Sequence, residues 1–333
     1  MGTAKSMSEL QTRREFVKAA ALVSASALVL PAPPGAAAEA AAAKGAGASA
    51  RSESSPYLAE AFPTGKIGKH QFSRLMLGGN LIAGFVHSRE LGYVAMLARR
   101  YNTEAKILET LELAEARGIN AINLCIETDL SFLQKHWKNG GKMQLLAQAF
   151  IEAEGGGLDQ FQKAIDAGAS GVHVQGLSAE RHVRAGRLDL VARAVELVKS
   201  QGAAAGVAAH ALEVIVACEK AKLDVDFYQK TLHTRDYFSA GKPEDPAETG
   251  PNDNYWCRNP REVIAFMAQV KKPWIAFKVL AAGAISPRMG FSYALKNGAD
   301  FLLVGMFDWQ VDEDARLARR MFSALDRSRP LYG

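Results

Sequence analysis

Two lysines stand where the surrounding residues give little reason for charge. Lys230 lies within DFYQKTLH and Lys278 within PWIAFKVLAAG, stretches that otherwise have the composition of buried strands. An unpaired buried ammonium is costly, so each lysine is neutral, paired or employed in chemistry. A neutral lysine attacks carbonyl groups, and two such amines on strands about 4.8 Å apart would lower each other's pKa. A second set combines imidazole with carboxylate. His210 and Glu213 are three residues apart, and His233 follows Lys230 closely. Ligands of these types suit a divalent metal, with His173 or Glu127 completing the shell and a lysine steadying an anionic substrate oxygen.

These groups need a scaffold, and the chain's periodicity supplies one. Helix-like segments end at Gly or a small residue and run into short apolar strands, as in ETLELAEARG then INAINL and FQKAIDAGAS then GVHVQG. A continuous apolar run of this length is what a strand covered on both faces looks like, and its alternation with helices implies parallel βαβ units. Strands are expected at 72–79, 119–124, 142–150, 171–176, 203–210, 226–232, 273–283 and 301–307, with helices at 103–117, 130–139, 159–168, 187–201, 211–221, 259–270, 287–297 and 310–325. Eight of each is the count for a closed (β/α)8 TIM barrel of the α/β class. An open dinucleotide-binding sheet is disfavoured, because GGNLIAG does not match the GxGxxG turn.

In such a barrel the chemistry gathers where strands end. Asn80, Gln175 and Asp308 occupy those ends as candidate substrate ligands, beside His210 and Glu213, Lys230 and His233, and Lys278. A lysine pointing outward would be trapped under the helix layer, so Lys230 is expected to point inward near the mouth. On the next strand the same argument puts Lys278 inward, and alternation gives Ala276 the same face, with Ile275 and Phe277 toward the helices. The polar segment 234–257 is too long for an ordinary connection and brings Tyr237, Tyr255 and Trp256, which could stack on a sugar-like ring. Arg89, after the first strand, could bind a carboxylate.

The ends of the chain and its charge limit the function further. Thr12-Arg13-Arg14-Glu15-Phe16-Val17-Lys18, followed by an apolar run from Ala19 to Leu30, resembles a twin-arginine export signal, and the run is too short to span a membrane. The resemblance implies a signal peptide over 1–40, the Ala, Gly and Ser content of 41–65 reads as a flexible linker, and with no later Pro/Gly/Ser-rich linker the rest is expected to be a single barrel domain over 66–333. The resemblance also implies a protein handed to the twin-arginine machinery and exported, to the periplasm or beyond, with no stable membrane span once mature. The net charge of +5 is nearly even, which argues against nucleic acid as a partner, and RHVRAGR reads as a solvated helix face. Three widely spaced cysteines allow one disulfide at most and exclude a zinc knuckle.

Lys230-Thr231 and Lys278-Val279-Leu280-Ala281-Ala282-Gly283-Ala284-Ile285 resemble strands six and seven of class I aldolases of the deoxyribose-phosphate aldolase type. That resemblance implies a lyase acting on a small carbonyl or sugar-like substrate, with Lys230 forming the imine and Lys278 lowering its pKa. RLMLGGN (74–80) resembles the first strand of aldo-keto reductases, although that family's Asp-Tyr-Lys-His set is not evident at the strand ends. The whole pattern also resembles a group of exported bacterial barrel proteins, a resemblance that carries no reaction with it. The expected function is therefore an imine-forming lyase. The alternatives are a metal-dependent isomerase or epimerase using His210, Glu213 and His233, an aldo-keto-reductase-like oxidoreductase, and a sugar-binding barrel without catalysis. A divalent metal is the only cofactor these readings name.

Overall fold

The computed structural model describes residues 62–88, 91–152, 154, 157–240, 249–250, 254–255, 257–327 and 329–333. Eight parallel strands close into a barrel: β3 (Leu75–Gly78), β4 (Ala121–Cys125), β5 (Gln144–Ala149), β6 (Gly171–Val174), β7 (Ala204–Ala209), β8 (Phe227–Thr231), β11 (Trp274–Phe277) and β12 (Phe301–Val304). Seven fall inside the expected segments, and β4 runs one residue past its own, to Cys125. An antiparallel hairpin, β1 (Thr64–Ile67) and β2 (His70–Ser73), precedes the barrel. Its Ile67 and Phe72 pack with Met76, Leu146, Phe227 and Phe301 in the barrel interior. Ser73 N–H donates to Asn120 Oδ1 at 2.7 Å, just before β4 begins, so the hairpin plugs the end where the strands start. Two short strands, β9 (Thr249–Gly250) and β10 (Asn254–Tyr255), pair within the long connection after β8.

The outer layer holds α3 (Glu104–Ala116), α4 (Ser131–Lys138), α5 (Asp159–Asp166), α7 (Leu188–Ser200), α8 (Leu212–Lys220), α9 (Pro260–Met267), α10 (Pro287–Lys296) and α11 (Asp308–Ser323). Their sequences explain both their inner faces and their ends. In α7, Leu190, Val191, Ala194, Val195 and Val198 recur at helical spacing and are buried, and each such side chain contributes roughly 1.5–3 kcal/mol. The helix stops at Gly202, whose φ of 76° an L side chain adopts only with strain. Three further helices are α1 (Asn80–Ala83) and α2 (Gly92–Tyr101) after β3, and α6 (Gly176–Arg184) after β6. The third covers most of the segment read as a solvated helix face, and its inner side is buried at Ser178, Ala179, Glu180 and His182. Among the described residues no helix is long and apolar enough to cross a membrane. Cys125, Cys218 and Cys257 are buried, and none of them is in a disulfide.

Strand register corrects the expected facing of two strands. Phe227 belongs to the barrel interior, and Tyr228 belongs to the layer between strands and helices, where its hydroxyl meets Glu219 of α8. Alternation then sends Gln229 inward and Lys230 outward. On β11, Ile275 pairs with Gln229 and lies in the interior with Phe277, whereas Ala276 pairs with Lys230 and faces the helices. The expectation is reversed on both strands. The helix layer does not trap the outward lysine, because the structure gives its amine two carbonyl partners there.

Candidate active site

The C-terminal mouth is built around His210, which follows β7 on its inward-facing register. The imidazole Nδ1 lies 3.1 Å from Glu180 Oε1. The same oxygen accepts the backbone N–H of His210 at 2.5 Å and of Ala211 at 3.0 Å. Burial alone would raise the Glu180 carboxyl, but the bonds and charge of His210 together with these N–H groups outweigh it and hold the group below its usual range. Burial pushes His210 down to about 4, against the pull of Glu180 and helped by the nearby charges of Lys278 and Lys230. At neutral pH the pair is a carboxylate beside a neutral imidazole. Its Nδ1–H points at Glu180, so Nε2 is the acceptor nitrogen.

Lys230 is buried. Its Nζ donates to the carbonyl oxygen of His210 at 2.5 Å and to that of Thr231 at 3.1 Å, so its amine braces the turn after β7. Lys278 stands one residue past β11, is half-buried, and has its Nζ 6.0 Å from the centroid of the Phe277 ring. The Phe277 ring in turn lies 5.4 Å from that of His210. Both lysines therefore do reach the His210 neighbourhood, by different routes from the one expected. Lys278 has φ of 57°, and Ala281 and Ala282, with φ of 46° and 57°, share the left-handed region in the same turn. Each costs on the order of 1–2 kcal/mol for an L residue, and strain of this kind concentrates at functional sites. Ala282 is exposed, so Ala282→Gly is expected to raise unfolding free energy by about 0.5–1 kcal/mol in urea titrations.

The remaining expected site residues are placed differently. Glu213 does not approach His210. It is exposed on α8 and pairs with Arg184 Nε at 2.5 Å. His233 has both ring nitrogens committed, with Nδ1 donating to Thr234 O at 2.8 Å and Nε2 accepting Cys257 N–H at 2.9 Å. It pins the two ends of the long connection after β8, and burial holds it down to about 4. The trio of His210, Glu213 and His233 is thus not a metal shell. Among the described residues no group of three or more His, Cys, Asp or Glu is arranged to hold one.

Gln175 caps α6, its Oε1 accepting Ser178 N–H at 2.9 Å. Asp308 is held by Tyr101 Oη at 2.7 Å and Lys106 Nζ at 3.0 Å, which fastens the start of α11 to α2 and α3. Asn80 is exposed at the start of α1. Arg89 and Trp256 lie outside the described residues. Below the mouth, Asn123 Nδ2 reaches His173 Nε2 at 2.9 Å and Leu146 O at 3.0 Å inside the barrel.

Glu180 is the residue that sequence reasoning missed. Its signal was present in GLSAERHVR, where Gly176 and Glu180 are four apart and so share one helix face, but the arginines around them dominated the reading.

No family model and no curated protein matches the chain. Solved structures do. One, assigned to the aldo-keto reductases of Pseudomonas aeruginosa, shares 15% identity, covers 80% of this chain and 99% of its own, with a TM-score of 0.53. An aldo-keto reductase from Bacillus halodurans shares 11% identity over 81% of this chain and 98% of its own, with a TM-score of 0.51. The likeness establishes the barrel fold alone. A protein named as the aldolase QR15 shares 14% identity at a TM-score of 0.42, a level that says nothing about chemistry.

Proposed function

We propose that the chain is an enzyme acting on a small carbonyl or sugar-like substrate at the C-terminal mouth, interconverting carbonyl and alcohol in the manner of aldo-keto reductases. The observation that carries this reading is the neutral His210, oriented by Glu180 and set beside the cationic side chain of Lys278. Carbonyl reduction places negative charge on oxygen as carbon gains hydride, so the site must offer a cation and a group that exchanges a proton. Lys278 suits the first role. His210 suits the second, its Nε2 taking the hydroxyl proton in the oxidative direction and the imidazolium so formed returning it to oxygen in the reductive one. Lys230 and His233, needed for the imine and metal readings, spend their polar atoms on backbone groups. The shared fold of the two reductases adds support of the weaker kind that architecture gives.

A nicotinamide dinucleotide would supply the hydride. Exposed Arg288 near the start of α10 could take its phosphates, and the exposed Trp309 ring, stacked on Phe307 at 6.0 Å, could take a flat ring. Asp308 between those aromatics does not oppose this, because Tyr101 and Lys106 hold its charge.

One observation favours a second reading. Lys278 sits on a left-handed backbone at a strand end, half-exposed, where an imine could form without Lys230. The two readings separate in one experiment. Purified protein is offered NADH or NADPH with a panel of aldoses, ketoses and small aldehydes, and borohydride trapping is run in parallel. Reduction of a carbonyl, lowered by about 10²-fold or more in Lys278→Met, is the expected result. A trapped adduct on Lys278 without any nicotinamide oxidation would replace the reductase with a lyase.

A further inference from the structure

We propose that Glu180 and Lys230 are positioning residues that clamp His210 and fix Nε2 as the proton-accepting atom of the mouth. This rests on the acid–base reading of His210 given above. Three parts of His210 are held by buried charged-type side chains. Its N–H and Nδ1 meet Glu180 Oε1 at 2.5 and 3.1 Å, and its carbonyl oxygen meets Lys230 Nζ at 2.5 Å. Glu180 is 3% exposed and Lys230 1%. Two residues of types that are rarely fully buried thus converge on one histidine, from a helix on one side and a strand on the other.

The ring itself is held on both flanks. A Cβ added at Gly176 would stand 3.0 Å from His210 Cε1 and 3.1 Å from Nδ1, and the Phe277 ring lies on another side at 5.4 Å. Gly176 and Glu180 are one helical turn apart on α6, so this extra helix presents a bare shelf and a carboxylate to the same imidazole. A carboxylate at Nδ1 favours the tautomer with the proton there. The arrangement accounts for Lys230 without making it a nucleophile: its amine orders the main chain that carries the base.

The test uses the full chain labelled with 15N histidine. Long-range 1H–15N correlation at neutral pH reads the tautomer of His210, and turnover is measured beside it on whichever carbonyl substrate the enzyme accepts. Wild type is expected to show Nδ1–H alone. Glu180→Gln keeps an oxygen for the two backbone N–H groups but offers Nδ1 a neutral partner. It should give a mixed tautomer and a kcat lower by on the order of 10²-fold, with KM little changed. Lys230→Met keeps the buried stem without the donors. It should shift the His210 resonances and lower kcat, with Lys230→Arg restoring part of the loss.

If a variant fails to fold, Gly176→Ala, which crowds the ring, is expected to displace the same resonances. An unchanged His210 spectrum in the folded variants overturns the clamp, and so does a borohydride adduct on Lys230. If no carbonyl substrate is turned over while the spectra change as expected, the reductase reading fails and the clamp stands.

Discussion

Asp300→Ala is expected to lower unfolding free energy by about 3–5 kcal/mol. Asp300 directly precedes β12 and is fully buried. Its Oδ2 accepts Trp274 N–H at 2.9 Å and Arg329 Nη1 at 2.6 Å, and its Oδ1 accepts Arg327 Nη2 at 3.0 Å and Tyr332 N–H at 3.0 Å. One carboxylate thereby joins β11, β12 and the C-terminal tail. Arg74, next to β3, adds bonds to the carbonyls of Asp300, Tyr332 and Gly333. Removing the carboxylate strands two buried guanidinium groups and two N–H groups, which is costlier than the pair's own net worth. Asp300→Asn keeps two polar atoms but not the charge, and should fall between wild type and alanine. Urea unfolding followed by far-UV circular dichroism checks both. A loss under about 1 kcal/mol in the alanine variant would mean the tail is not fastened there. The mouth lies at the opposite end of the barrel, so turnover below the unfolding transition is expected to persist.

The barrel was legible because its strands are covered on both faces and therefore read as short unbroken apolar runs, bounded by glycine-ended helices. The same property hid the facing of β8 and β11. When both faces are apolar, alternation gives a period but no sign, and only Phe227 against Tyr228 shows which parity is interior. For Lys230 only the cost of burying an amine pointed to a face. The carbonyl groups of His210, after β7, and of Thr231, at the end of β8, supply a place that no local pattern announces. His210 was legible as a polar residue at a strand end. Its partner was not, since Glu213 is nearer in sequence while Glu180 is brought in by a helix that the eightfold count does not require. Hairpin β1–β2 was not legible: only its Phe72 and Ser73 fall in the expected first strand, while Thr64 and Gly65 fall in the segment expected to be a flexible linker, and only the fold shows Ile67 and Phe72 packing in the barrel interior.

Three of the buried histidines should make the barrel acid-labile from a pH above the ordinary carboxylate range. His173, His210 and His233 are each held down to about 4, burial being the leading cause for all three. In the unfolded chain each returns to the ordinary histidine value of about 6.5. Between these values the unfolded chain binds more protons than the folded one, so stability is intact above about pH 6.5 and is lost as pH falls toward 4. The full shift corresponds to roughly 3 kcal/mol per histidine, so together they rival the net stability of a typical domain. Asp314 works in the other direction. Burial, assisted by Glu313, raises its carboxyl to about 6, so the folded state takes up that proton first and regains some of the loss between about pH 6 and 4. The expected slope near pH 5 is therefore the three histidines less one carboxyl, a net release of about two protons on folding. Urea midpoints at several pH values from about 7 to 5 measure that slope directly. His173→Asn, which keeps a neutral side chain with a donor and an acceptor, should reduce it by about one proton, whereas Asp314→Asn should steepen it by about one. A stability profile that stays flat through this range would mean that the three imidazoles are not buried in the neutral form, and with it the neutral His210 on which proton acceptance at the mouth depends would be lost.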